Sequence, residues 1–164
     1  NIIGEEHKGF YSLLDGLNDE RLVIAAECIG HAKLAIDRAA EYADEREVFD
    51  RQIGSNQAIQ HPLAEAYMRT LSVKQTVYRT AEMMDSLDRQ QVGTLANSSN
   101  YLASEVAFDA SDAAVQTFGG FGIAREYDVE RLFRDARLAK IAPISQQLAL
   151  NYVGEKALGL PRSF

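Results

Sequence analysis

The chain has 164 residues, 46% of them hydrophobic and 25% charged, with a formal net charge of −7. That fits one domain with a sizeable core and excludes a disordered chain. The acidic balance argues against nucleic-acid binding, which needs a basic face.

A single cysteine, Cys28, excludes an internal disulfide and a multi-cysteine metal site. It lies in the apolar run 25–29 and reads as a buried, inert thiol. No apolar run approaches the roughly 20 residues that span a bilayer, so no membrane span is expected. The opening NIIGEEHKGF is unlike a signal peptide and looks cut from something longer. A reducing compartment is expected: the cytoplasm, or the mitochondrial matrix if a targeting segment has been removed.

Residues 1–16 contain Gly4, Gly9 and Gly16, lack sustained periodicity and read as an extended lead-in. Asn18 reads as an N-cap, with Asp19 and Glu20 in the first turn that follows. Leu22, Ala25, Ala26, Ile29, Ala32, Ile36, Ala39 and Ala43 then recur at spacings of 3 and 4, which predicts a helix over about 17–45. The segment 50–54 breaks it. Ser55 or Asn56 caps a second helix to about 88, with Ile59, Leu63, Ala66, Leu71, Val77, Ala81 and Met84 on one face and Pro62 in its early turns. Gly93 and Thr94 open a third helix to about Thr117, with Leu95, Leu102, Val106, Ala110 and Ala113 inward. FGGFG, residues 118–122, reads as a glycine-rich loop. A shorter helix covers about 127–139, Pro143 interrupts, and Ser145 caps a last helix to about 157. Four longer helices without strand-like alternation predict an all-α, up-and-down four-helix bundle over 17–164.

Three motifs have ordinary explanations when taken alone. None of His7, His31 and His61 follows a glutamate by three residues, so the sequence offers no di-iron pattern and no metal site is expected. FGGFG lacks the preceding strand and the spacing of a dinucleotide fingerprint, although glycines let a backbone approach a ligand closely. Arg131, Arg134, Asp135 and Arg137 make an alternating-charge face that pairs with itself or with solvent.

Taken in order, however, four elements are jointly specific: REVF (46–49), QAIQH (57–61), QTFGGFG (116–122) and RDAR (134–137). With LNDERL (17–22) and the ending LGLPRSF (158–164), the chain resembles the C-terminal helical domain of acyl-CoA dehydrogenases over nearly its whole length. The lead-in IIGEEHKGF is similar to the junction with that family's upstream β-domain. The resemblance implies an FAD enzyme, usually a homodimer or homotetramer, that oxidises an acyl-CoA to the 2,3-enoyl-CoA and passes electrons to an electron-accepting flavoprotein. It also implies that the bundle alone is inactive, because FAD lies between the β-domain and two bundles, one of them a neighbour's. By resemblance, Arg46 and Phe49 meet the neighbour's FAD, with Arg46 suited to the pyrophosphate. Gln57 is a further cofactor contact. Gln116, Gly119 and Gly120 receive the adenosine side of FAD, Ser145 and Gln147 lie near the cofactor, and Asn18 and Arg21 contact the CoA portion of the substrate. Asp50 stands where the family usually has glycine.

Many family members carry their catalytic glutamate in a Tyr-Glu-Gly-Thr after RDA. Here that stretch is Ala142-Pro143-Ile144-Ser145, and Pro143 has neither a carboxylate nor an N–H. A minority, including the isovaleryl-CoA type, places the base on the first long helix. The matching residue is Glu20, which becomes the candidate base. The missing N–H at Pro143 leaves two alternatives, a flavin-dependent oxidase or monooxygenase on the same scaffold and a noncatalytic assembly module.

Overall fold

The computed structural model of the protein describes residues 4–163. Five α-helices dominate: α1 (Gly9–Glu45), α2 (Gln57–Met83), α3 (Arg89–Phe118), α4 (Val129–Ala139) and α5 (Gln146–Lys156). A small antiparallel hairpin, β1 (Glu47–Val48) and β2 (Arg51–Gln52), links α1 to α2.

The contacts fix the directions. Tyr42 near the end of α1 stacks on Phe118 at the end of α3, with ring centroids 4.0 Å apart. Towards the other end, the Asn100 amide donates to the Arg21 carbonyl at 3.4 Å. So α1 and α3 run parallel, with α2 returning between them. Lys140 and Gln146 reach Glu105 and Ser104, and Tyr152 lies over Gly93. Hence α4 and α5 together descend along α3 as one broken helix. This is the expected up-and-down bundle, with its fourth helix interrupted around Pro143.

The core explains the close packing. Ala25, Ala32, Ala35 and Ala39 of α1 and Ala103, Ala107, Ala110 and Ala114 of α3 are fully buried. Alanine on both sides lets the two backbones approach closely. Ile29, Leu63, Val77, Val106 and Leu132 fill the remaining space, each burial worth roughly 1.5–3 kcal/mol. Cys28 is buried among them, as its apolar setting predicts.

Several boundaries differ from the sequence reading. Residues 9–16 are helical, not extended: Phe10, Leu14, Leu17 and Arg21 continue one face of α1 backwards. Residues 1–3 of the lead-in lie outside the described residues. Asn18 is therefore no N-cap; it sits in mid-helix and its Oδ1 accepts from Arg21 Nη1 at 2.8 Å. Glu20 lies more than two turns inside α1, so the N-terminal dipole that would favour its anion is absent. In α2, Leu71 and Ala81 face solvent while Thr70, Val73 and Thr80 take the buried side. Thr80 is tolerated there because its hydroxyl donates to the Thr76 carbonyl at 2.8 Å. Pro62 lies inside α2, not at its first position, so the Ala58 carbonyl loses its helical donor. The helix ends at Met83 rather than near 88.

At the start of α3, Asp88 is the cap: its Oδ1 accepts from the Gln91 N–H at 2.9 Å, and Gln91 Oε1 accepts from the Asp88 N–H at 3.1 Å. This reciprocal box starts α3 at Arg89, ahead of Gly93. Ala26 and Leu102 are exposed members of the expected stripes. FGGFG is mostly a 3-10 turn, Gly119–Ile123. Ser145 caps α5 as expected, accepting from the Leu148 N–H at 3.4 Å. His31 ties α1 to α4, its Nε2 lying 2.7 Å from the Leu132 carbonyl. The α4 charges pair locally, Arg131 with Asp128 and Asp135 and Arg134 with Glu130.

Candidate functional sites at the two ends of the bundle

The site residues expected from the sequence separate into two groups at opposite ends of α1. At the C-terminal end, Arg46 caps α1 in an extended conformation, and its N–H still reaches the Tyr42 carbonyl at 2.9 Å. The hairpin that follows turns through Phe49 and Asp50, with φ of 54° and 60°. Two consecutive left-handed residues make a type I′ turn, which suits a two-residue hairpin but costs a residue with a β-carbon. Phe49 at this tip is 93% exposed.

Opposite the hairpin, α3 ends at Gly119, with φ of 60°. The guanidinium carbon of Arg46 lies 5.8 Å from the centroid of the Phe121 ring. Arg46, Gly119 and Gly120 line a groove of about 420 Å³ backed by Phe118 and Phe121. A β-carbon on Gly119 or Gly120 would project into open space. The groove thus offers a cation, flat aromatic surfaces and bare backbone, which fits the phosphates and adenosine of a dinucleotide. Gln57, at the start of α2, and Gln116, one turn before the α3 cap, are exposed and do not line it.

At the N-terminal end, α1, α3, α5 and the tail 160–163 enclose a cleft of about 1050 Å³. Phe10, Leu14, Leu17, Ile144 and Leu148 supply apolar walls, with Asn18 and Arg21 between them. Arg21 is 7% exposed, and burial pulls its guanidinium below the ordinary value, opposed by Tyr152 and Glu20. Among the described residues its Nε finds no acceptor, and Asn97 Oδ1, lining the same cleft, finds no donor. Such orphan groups are costly inside a protein unless something meets them. The cationic side chains Arg21, Arg89, Lys156 and Arg162 line this cleft against the single carboxylate Glu155 among the described lining residues.

Three expected residues stand apart from the cleft. Glu20 is exposed, about 100° round the helix from Arg21. Gln147 is exposed, and the Ser145 hydroxyl serves as the α5 cap. The sequence reading missed Asn97, Tyr152 and the tail. One signal was available: Asn97, Ser99, Asn100 and Ser104 interrupt the alanine stripe of α3 with buried polar groups.

Comparison with known proteins identifies the scaffold. The family described as acyl-CoA dehydrogenase, C-terminal domain, matches residues 7–158, and the chain belongs to this family. Acyl-CoA dehydrogenase FadE12 of Mycobacterium tuberculosis is 38% identical over 163 residues, covering 99% of this chain and 42% of that protein. Butyryl-CoA dehydrogenase from Megasphaera elsdenii superposes with a TM-score of 0.91 at 31% identity, over 96% of this chain and 41% of that one. An acyl-CoA dehydrogenase from Bacillus anthracis complexed with FAD gives 0.88 at 28% identity, over 97% and 30%. The chain therefore spans less than half the length of the relatives it matches.

Proposed function

We propose that the chain is the C-terminal bundle of a longer FAD-dependent acyl-CoA dehydrogenase, and that each bundle serves two flavins. The observation that carries this reading is the separation of the two sites. Arg21 lies within α1 and Arg46 is its C-cap, 25 residues on, about 38 Å at 1.5 Å per residue. One cofactor does not span both. The Arg46 groove then meets the FAD of a neighbouring subunit, and the Arg21 end works at the chain's own site. A homodimer or homotetramer follows from that arrangement.

At the Arg21 end, the cationic lining suits the phosphates of an acyl-CoA, and in an acidic chain it focuses an anion on one place. Asn18 and Arg21 hold the CoA portion. Glu20 is exposed, pointing away from the bundle interior. On this reading its carboxylate takes the α-proton from an acyl-CoA that meets that face. Bound FAD would supply the acceptor for the β-hydride. Ser145 and Gln147 would lie beside it, and an electron-accepting flavoprotein would be the partner that takes up its electrons. Pro143 has no N–H for the thioester oxygen, and on this reading the Ile144 N–H, the next along the chain, takes its place. A donor of this kind is worth about 3 kcal/mol in comparable oxyanion sites.

Pro143 also supports a second reading, an oxidase or oxygenase on the same scaffold. The discriminating experiment follows the flavin absorbance of the complete protein anaerobically during addition of a panel of acyl-CoAs. Bleaching supports the dehydrogenase. Bound FAD that no acyl-CoA bleaches moves the assignment to the oxidase or oxygenase, and a protein without FAD supports an assembly module.

A further inference from the structure

The break in the fourth helix is bridged from one side chain. Glu105 of α3 faces the gap between α4 and α5, and its Oε1 accepts from Lys140 Nζ at 2.7 Å and Gln146 Nε2 at 2.6 Å. Lys140 is the C-cap of α4 and Gln146 the first residue of α5. Gln146 Nε2 also reaches Ser104 Oγ at 3.1 Å. The Lys140 ammonium lies over the Phe108 ring, 4.9 Å from its centroid, so it is held from two sides. Lys140 and Glu105 are 19% and 24% exposed at the side chain. In no α4 pair are both side chains so shielded, and a shielded pair with additional hydrogen bonds fixes geometry more firmly than an exposed one.

We infer that Glu105 is a positioning residue that pins both flanks of the loop 141–145 and so sets where Pro143 and Ile144 stand beside the cleft. The segment is tied back to α4 by its Ile141 and Ala142 N–H groups, which reach the Leu138 carbonyl at 2.8 and 3.0 Å. It lies between a helix end and a helix start, and proline removes one backbone donor. Burial alone would raise the Glu105 carboxyl; the bonds from Lys140 and Gln146 outweigh it and hold the group below its ordinary value. The carboxylate is therefore charged at neutral pH and the clamp is closed. That the loop borders the reacting carbon rests on the function proposed above; that Glu105 holds the loop does not.

The test uses the complete protein with its FAD and compares Glu105→Gln, Gln146→Leu and the charge exchange Glu105→Lys with Lys140→Glu. Amide hydrogen exchange over 141–148 is expected to quicken about tenfold in the first two variants, with α1 and α2 unchanged, and to recover in the exchanged pair. Flavin reduction at saturating acyl-CoA falls about tenfold in the single variants while apparent affinity stays within twofold. Exchange over 141–148 that stays at the native rate overturns the inference. So does protection lost throughout the bundle in both single variants, because Glu105 would then serve general stability. If no acyl-CoA reduces the flavin of the native protein, the functional reading fails, and the exchange data still decide the clamp.

Discussion

Gly122 packs directly against the backbone of Val115: a β-carbon on residue 122 would come within 2.5 Å of the Val115 carbonyl oxygen. Backbone cannot swing aside as a side-chain tip can. Gly122→Ala is expected to destabilise the fold by about 1–3 kcal/mol or more, as overpacking does, measured as a lower midpoint in denaturant. Gly120, two residues earlier, has nothing within 4 Å of the same position. Gly120→Ala should therefore leave the midpoint within error yet weaken FAD binding in the complete protein, because the new methyl group occupies the groove beside Arg46. Unchanged FAD affinity in Gly120→Ala would remove this groove from the cofactor site.

Asp50 occupies a left-handed position at the hairpin tip, with φ of 60°. The strain and the charge both point one way. Asp50→Gly relieves a cost of roughly 1 kcal/mol and removes an anion from the side where an FAD pyrophosphate is proposed. Higher stability and tighter FAD binding are expected together, by thermal melting and flavin titration. Weaker FAD binding would mean that Asp50 has its own favourable partner there.

Burial, with a smaller contribution from Glu27, raises the Cys28 thiol from 9.0 to about 12. Its neutral form is thus favoured by folding. The stability it contributes is complete below the ordinary thiol value and is lost as the pH rises from about 9 towards about 12, where the unfolded chain ionises first. Native protein at pH 8 should resist alkylation by iodoacetamide, and labelling should follow unfolding in denaturant. Rapid labelling of the native protein would contradict the buried position.

The bundle is legible in the sequence because α1 and α3 carry long alanine and aliphatic stripes at helical spacing. What the stripes conceal is the beginning of α1. Gly9 and Gly16 suggest a lead-in, yet Phe10, Leu14 and Leu17 carry enough apolar surface to continue the helix once the cleft forms around them. Tertiary contact overrides local propensity there. Asn18 looks like a cap for the same reason, since a capping residue and a polar mid-helix residue are identical on paper. Asp88 with Gln91 is the converse case, a capping box passed over in favour of Gly93. Among site residues, Arg46, Gly119 and Gly120 line one groove. Glu20 is different: it is exposed on α1, so neither periodicity nor the bundle positions a substrate against it. Glu105 was invisible because its partners, Lys140 and Gln146, become adjacent only when the fourth helix folds back along α3.

On the proposed function, one catalytic site takes Glu20 from one chain and Arg46 from its neighbour. Two forms of the complete protein, Glu20→Gln and Arg46→Ala, each with a different affinity tag, are co-expressed, and the mixed assembly is isolated by both tags. Each variant alone is expected to reduce its flavin with acyl-CoA at least tenfold more slowly than the native protein, or to lose its FAD. The mixed assembly should recover native-rate reduction in a fraction of its sites, because some sites then pair an intact Glu20 with an intact Arg46. A mixed assembly no more active than its two parents would rule out a shared site and place both residues in the same chain's site or outside the chemistry.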